Sequence, residues 1–488
     1  MESCCINQFL EGKTIFITGA TGYLAKILIE KILRVQPNVK KLYLLIRAPD
    51  SNSAKERFNN EVIKTDLFRV LREKLGANLH SLIQDKVFPV PGDIACDNLG
   101  INSDMQDEMC REIDIIVNSA ATTRFDERYD TAIRINAFGT LNVLKFSRQC
   151  SKLKMLLHVS TAYVCGEKEG LILEKPLHYG ETLNGGSQLD IEVEQKLVEE
   201  TLKDLKARNA AEKEVTLAMR VLGIERAKIH GWPNTYSFTK AMGEMLLGHL
   251  KEDLHLIILR PTIISSTYKE PFPGWNEGLR TMDTFIVGYG KGKQNVAMGD
   301  RESILDVIPA DMVVNSVIAA MVAHRNRSSH TAIYHISSSR TNPLKNTDIM
   351  QFSAEYFKKN PWINERGTPV KVKKFHLLDG MASLHKYIAI HYMPLLKILK
   401  WANLILCQRL QTLHSNLERR INRVIRLAEL YKPYTLFKGI FNDTNAEMLR
   451  MATTESNADD TFNFDPRTIQ WEKYFKEIHI PGLVKYVF

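Results

Sequence analysis

Only seven of the 488 residues are cysteine, and no two of them carry a spacing that would hold zinc. Cys4, Cys5, Cys96, Cys110, Cys150, Cys165 and Cys407 are scattered and odd in number, which excludes a disulfide framework and fits a reducing compartment. Ser3-Cys4-Cys5 reads as exposed thiols, with acylation as the alternative. No histidine pair stands at ligand spacing with a carboxylate, so no catalytic metal is expected. Long apolar runs are missing too. A spanning helix needs ~18 apolar residues, and the nearest stretch, 387–406, is broken by Lys397 and Lys400. The first strand is expected from residue 13, which leaves no room for an organellar presequence. With no Lys/Arg tract and no RNA-binding signature, nucleic acid is not expected as a partner.

What is present describes a folded chain. Hydrophobic residues make up 44% and charged residues 25%, so no long disordered region is expected. The length suggests one large domain and a smaller one. The net charge of +9 favours an anionic partner: a phosphorylated cofactor, coenzyme A or a lipid headgroup surface.

Short apolar runs at 13–18, 41–47, 87–91, 113–118, 155–160, 256–260 and 332–336 read as strands. Helical patterns lie between them, as at 131–150 and 236–250, and Asp311 looks like an N-cap for 312–324. Continuously apolar strands alternating with helices predict a Rossmann-type, doubly wound parallel sheet of the α/β class. A charged stretch, 191–218, reads as a solvated surface helix or as a lid over a long substrate; it belongs to an insertion around 174–235. The alternation stops near 366–374. This places a reductase-type domain at 1–370 and a smaller, mainly helical one at 371–488.

Three distant motifs complete one another. Thr18, Gly19, Thr21, Gly22, Tyr23 and Leu24 form a glycine turn that follows a strand and opens a helix, where a pyrophosphate would meet free N–H groups. The second strand ends in Arg47, where an NAD enzyme would carry an acid. A guanidinium there suits the 2′-phosphate of NADPH; its bland reading is a surface charge. Asp93 and Ile94 after the third strand could face the adenine, or form an ordinary turn. Ser119 and Ala120 end the fourth strand with small residues over which a dinucleotide can pass. Tyr236 and Lys240, four apart on a helix, share one face, and an ammonium beside a phenol lowers its pKa. Thr161 or Ser160, at the end of the fifth strand, can hydrogen-bond a reacting carbonyl. Asn136 could hold a relay water near Lys240. Together these motifs make a hydride-transfer enzyme the leading reading.

Other groups are open. Arg124, Asp126, Glu127 and Arg128 either frame a substrate mouth or form a surface ion-pair cluster, and His158 reads as a core histidine rather than a base. The segment 384–411 with its basic follower 409–426 is either a helix at a membrane surface or the core of the second domain.

The chain resembles the extended short-chain dehydrogenase/reductase superfamily and, within it, the plant alcohol-forming fatty acyl-CoA reductases. The resemblance rests on Thr18-Gly19-Ala20-Thr21-Gly22-Tyr23-Leu24-Ala25, Leu45-Ile46-Arg47, Pro91-Gly92-Asp93-Ile94 and Asn118-Ser119-Ala120-Ala121. It continues through Val159-Ser160-Thr161-Ala162-Tyr163, Tyr236-Ser237-Phe238-Thr239-Lys240 and a C-terminal stretch reaching Asn463-Phe464-Asp465. It implies reduction of a long-chain acyl-CoA to a primary alcohol with two NADPH, with Thr161, Tyr236 and Lys240 catalytic. It also implies peripheral association with the cytosolic face of the endoplasmic reticulum, with a cytoplasmic location as the alternative. The rivals are an aldehyde-forming reductase, a sugar-nucleotide or steroid-type dehydrogenase and, least supported, a silent NADPH-binding scaffold.

Overall fold

The seven apolar runs pair into one parallel sheet in the computed structural model, which describes residues 6–326, 329–454 and 461–488. Cys4 and Cys5 lie outside the described residues. The strands are β1 (Thr14–Thr18), β2 (Lys41–Ile46), β3 (Val87–Pro91), β4 (Ile115–Asn118), β5 (Met155–Val159), β6 (Leu256–Pro261) and β7 (Thr331–Ile336). Their spatial order is β7-β6-β5-β4-β1-β2-β3. β1, β4 and β6 are buried along their whole length, as strands covered by helices on both faces must be. The order reverses between β1 and β4, where Thr18 stands level with Asn118. A crevice opens beyond the strand ends at such a reversal.

Helix α1 (Tyr23–Val35) follows the glycine turn, and α2 (Gly139–Gln149) follows a π-helical turn at Ile133–Phe138. The charged stretch expected at 191–218 is two helices, α3 (Ile191–Ala207) and α4 (Glu212–Ile229), broken near Asn209, whose φ is +54°. Their buried residues Ile191, Val198, Leu205, Met219 and Ala227 pack with Tyr129 and Phe238. Glu194 binds them together: it accepts the Tyr129 hydroxyl at 2.7 Å and pairs with Arg226 of α4. The pair is therefore a bolster behind α5 (Thr235–Leu250) and not a lid.

Beyond lie α6 (Thr281–Gly290), α7 (Ala310–Ala323) and α8 (Asn346–Lys359). Asp311 does not cap α7, which starts behind Pro309. Its buried carboxylate accepts the backbone N–H groups of Tyr268, Lys269 and Glu270 at 2.7, 2.8 and 3.0 Å and so holds that loop.

The C-terminal part is interleaved with the rest. α9 (Met381–His391), α10 (Met393–Ile405) and α11 (Gln411–Thr435) share a small core, Leu384, Ile388, Ile421 and Ala428, with Val296 and Met298 of the short strand Val296–Met298. The chain then re-enters the main body. Strand Gly439–Phe441 pairs with Gly170–Ile172, and α12 (Thr444–Thr454) packs on α7. Phe441, Tyr474, Phe475 and Leu483 belong to the same core as Ile15 and Val317. Most of the buried apolar side chains described after residue 430 thus pack against the sheet domain.

Candidate active site

The turn after β1 is shaped for close approach. Gly19 has φ +70°, and a Cβ there would stand 2.8 Å from Ala120 Cα. Only glycine lets this turn lie against the end of β4. Gly22 precedes α1 with no side chain capping the helix, which leaves the first N–H groups facing the crevice. These features fit a dinucleotide pyrophosphate. Thr18 takes no part in the cradle surface: its buried hydroxyl donates to Asn118 Oδ1 at 2.7 Å and accepts the N–H groups of Ser119 and Ala120. Thr21 stands in the turn, and Tyr23 and Leu24 line the cavity beyond it. The Tyr23 hydroxyl donates to the carbonyls of Ser265 and Trp275, and the Arg280 guanidinium lies 3.6 Å above its ring.

That cavity, about 560 Å³, opens over the ends of β4, β5 and β6. Ser119, Thr161, Tyr236 and Lys240 line it together. Asn234 caps α5 by accepting the Ser237 N–H at 2.9 Å, and this sets Tyr236 in the first turn. Burial pushes the Tyr236 phenol up to about 12, while a hydrogen bond with Thr161 works in the opposite direction. The expected lowering by Lys240 is not seen. The lysine amine instead donates to the Val159 carbonyl at 2.8 Å and lies 3.2 Å from His158 Nε2. Burial pulls Lys240 down to about 8, against a smaller upward pull from Glu244, which is itself paired with Arg260.

Asn136 does not fit the role of holding a relay water. Its Oδ1 accepts the Thr122 N–H at 3.0 Å, and its Nδ2 donates to the Thr122 carbonyl and to Thr239 Oγ1. It is a clamp between the loop after β4 and α5. The other cofactor candidates sit on the far half of the crevice. Arg47 is exposed at the end of β2. Asp93 Oδ1 accepts the Ala95 N–H at 2.9 Å, and Ile94 packs on Gly139.

Sequence reasoning missed the aromatic wall opposite the sheet. Tyr431 and Tyr434 of α11 line the cavity, and Phe125 stacks on Tyr434 at 4.6 Å and lies 5.9 Å from Tyr236. The Tyr434 hydroxyl accepts from Asn234 Nδ2 at 2.9 Å, and Tyr163 meets the ring edge-on. Asp126 pairs with Arg426 of α11, so this part of the loop after β4 fastens the C-terminal helix over the cavity. A narrow apolar slot of about 60 Å³ lies behind the wall, lined by Met282, Phe285, Met298, Leu305, Phe375 and Leu377. Thr281 lines both spaces, and Phe285 touches Tyr431. No local signal marked Tyr431 and Tyr434, which read as ordinary helix core.

The chain matches a family model described as "Male sterility protein" over residues 17–317, and a second model of the same description over 390–488. It is 52% identical to Fatty acyl-CoA reductase 1 of Arabidopsis thaliana, over 100% of this chain and 99% of that one. It is 50% identical to the Alcohol-forming fatty acyl-CoA reductase of Simmondsia chinensis, with the same coverage. Among solved structures it is similar to the terminal reductase domain of the myxalamid biosynthetic pathway, with TM-score 0.57, 16% identity, and coverage of 97% of this chain and 91% of that chain. A nonribosomal peptide synthetase reductase domain from Mycobacterium tuberculosis gives TM-score 0.55, 17% identity, and 97% and 92% coverage. At such identities the structural likeness shows the fold.

Proposed function

Because the chain belongs to the fatty acyl-CoA reductase family, we propose that it reduces a long-chain acyl-CoA to the primary alcohol with two NADPH and two protons, releasing coenzyme A. The observation that carries this reading is the meeting of Thr161, Tyr236 and Lys240 in one cavity beside an uncapped helix start. When bound, the nicotinamide supplies hydride to the carbonyl carbon. The Tyr236 and Thr161 hydroxyls hold the thioester oxygen as charge develops on it, a donor arrangement typically worth a few kcal/mol. Collapse of the hemithioacetal breaks the C–S bond and leaves the aldehyde in the same place. A second reduction forms an alkoxide, to which Tyr236 gives its proton. A phenol held up at about 12 stays protonated at neutral pH, as a donor must. The apolar slot behind Phe285 and Tyr431, at about 60 Å³, has room for only a small part of a long acyl tail.

Incubation with a long-chain acyl-CoA and NADPH tests the reading, following free thiol and the lipid product together. Thiol release with alcohol as the end product is expected. NADPH oxidation without thiol would overturn the substrate class, and aldehyde as the final product would overturn the second reduction.

We also propose attachment to an anionic bilayer, at the cytosolic face of the endoplasmic reticulum. α10 turns Ile398, Trp401 and Ile405 to solvent, at 64%, 69% and 78% exposure. Residues 381–430 carry eight Lys/Arg against two Glu, which matches an anionic headgroup surface. Among the described residues no helix is long and apolar enough to cross a membrane. Flotation with phosphatidylserine vesicles is expected to carry the enzyme, and to fail for Trp401→Asp/Ile405→Asp. Equal flotation of both proteins would rule out this face.

A further inference from the structure

The cavity over the glycine turn holds a guanidinium that the chemistry above does not use. Arg280 lines it together with Gly22, Tyr23 and Leu24. It directly precedes α6, yet its guanidinium lies 3.6 Å above the ring of Tyr23, the first residue of α1. Both partners are held in place. The Tyr23 ring stacks on Trp275 at 5.0 Å, and its hydroxyl reaches the carbonyls of Ser265 and Trp275. Thr267 closes the loop that carries Trp275: its Oγ1 accepts the Trp275 N–H at 2.9 Å and donates to the Phe272 carbonyl at 2.8 Å. Arg280 is tied to the same loop through Nη1, which donates to Asn276 Oδ1 at 2.6 Å.

A guanidinium that stacks by its face keeps the N–H groups of its edge for acceptors. Asn276 engages one of them. The carboxylates nearby are committed elsewhere. Glu277 pairs with Lys26 at 2.7 Å, and Asp283 lies between His479 Nε2 at 3.0 Å and Asn276 Nδ2 at 3.3 Å. Arg280 is thus half-buried without a carboxylate partner among the described residues. A half-buried charge calls for an opposite one, and here the ligand must bring it. We propose that Arg280 is a cofactor-binding residue that grips the dinucleotide pyrophosphate bidentately and completes the cradle begun by the N–H groups of α1. This assignment rests on reading the crevice as the nicotinamide-cofactor site. Coenzyme A carries the same diphosphate chemistry, but the place of Arg280 beside Gly22 and Tyr23 favours the dinucleotide. Its role differs from that of Arg47, which is assigned a 2′-phosphate that NADH lacks. The pyrophosphate is common to NADH and NADPH.

The test is fluorescence titration of the full-length enzyme and of Arg280→Gln with NADPH and with NADH. The variant should bind both cofactors about tenfold or more weakly, and by the same factor, because a charge-assisted contact to a shared group is lost. Adenosine 2′-monophosphate, which has no pyrophosphate, should inhibit both proteins with the same constant. A loss confined to NADPH would move Arg280 to the 2′-phosphate and overturn the proposal. Unchanged cofactor binding with a raised KM for acyl-CoA would give the guanidinium to coenzyme A, and no change in either would make it a surface charge; both results overturn it. Arg280→Lys keeps the charge and the stem but not the fork, and it serves if Arg280→Gln melts early. Binding of both cofactors about threefold weaker is expected there, and full affinity would overturn the bidentate grip. An unmodified enzyme that binds neither cofactor would instead overturn the reading of the crevice itself.

Discussion

Replacing Gly19 by alanine separates two reasons for a glycine that are usually confounded. The left-handed φ of +70° costs an alanine about 1 kcal/mol. The new Cβ would also stand 2.8 Å from Ala120 Cα and 2.9 Å from its nitrogen, backbone atoms that cannot rotate aside. Ordinary carbon contact begins near ~3.5 Å, so the turn must retreat from β4 by roughly 0.7 Å. That movement carries the N–H groups at the start of α1 out of line with the site read as the pyrophosphate cradle. Gly12 is the control, because its φ is +66° and nothing lies within 4 Å of its Cβ position. Gly12→Ala should lose about 1 kcal/mol of stability and bind NADPH normally. Gly19→Ala should melt lower still and bind NADPH at least tenfold more weakly, a loss of about 1.4 kcal/mol or more. Thermal melts and fluorescence titration with NADPH read both quantities on the three proteins. Binding within twofold of the unmodified enzyme in Gly19→Ala would refute the close-approach argument.

Three further outcomes are expected. Tyr236→Phe should lower kcat about 10²- to 10³-fold while NADPH affinity holds, since a single oxyanion donor is worth about 2.7–4 kcal/mol; normal turnover of a folded variant would remove the mechanism. Arg47→Ala should cut the NADPH-over-NADH ratio of kcat/KM by about tenfold, through loss of a charge-assisted contact, whereas an unchanged ratio makes Arg47 a surface charge. Lys240 is held near 8 in the fold and titrates near 10.5 when unfolded. Between those values the unfolded chain binds the extra proton, so stability rises with pH across that window. Urea melts of the enzyme and of Lys240→Met at pH 8 and pH 10 check this, and the variant should show a smaller rise.

The sheet could be read from the chain because continuous apolar runs bounded by turns are local signals. The same is true of the glycine turn and of Tyr236-x-x-x-Lys240, whose spacing already puts both groups on one helical face. Local rules failed where a side chain's partner comes from another element. Asn136 and Asp311 carry polar groups suited to a water site or a helix cap, yet each clamps a distant loop through backbone N–H groups. The stretch 191–218 is the solvated helical surface its charge suggests, and only the fold shows that its inner stripe of Ile191, Val198 and Leu205 packs behind α5.

From the order of its residues alone, this protein is a dinucleotide-binding parallel sheet with a phenol and an amine one helical turn apart. Only folding decided what surrounds them. Tyr434 reaches Asn234 across 200 residues, His158 meets Lys240 across 82, and Asn118 meets Thr18 across 100. Proton positions and the shape of the cavity depend on such pairs, because a hydrogen bond is set by which donor faces which acceptor. Spacing along the chain carries no record of that.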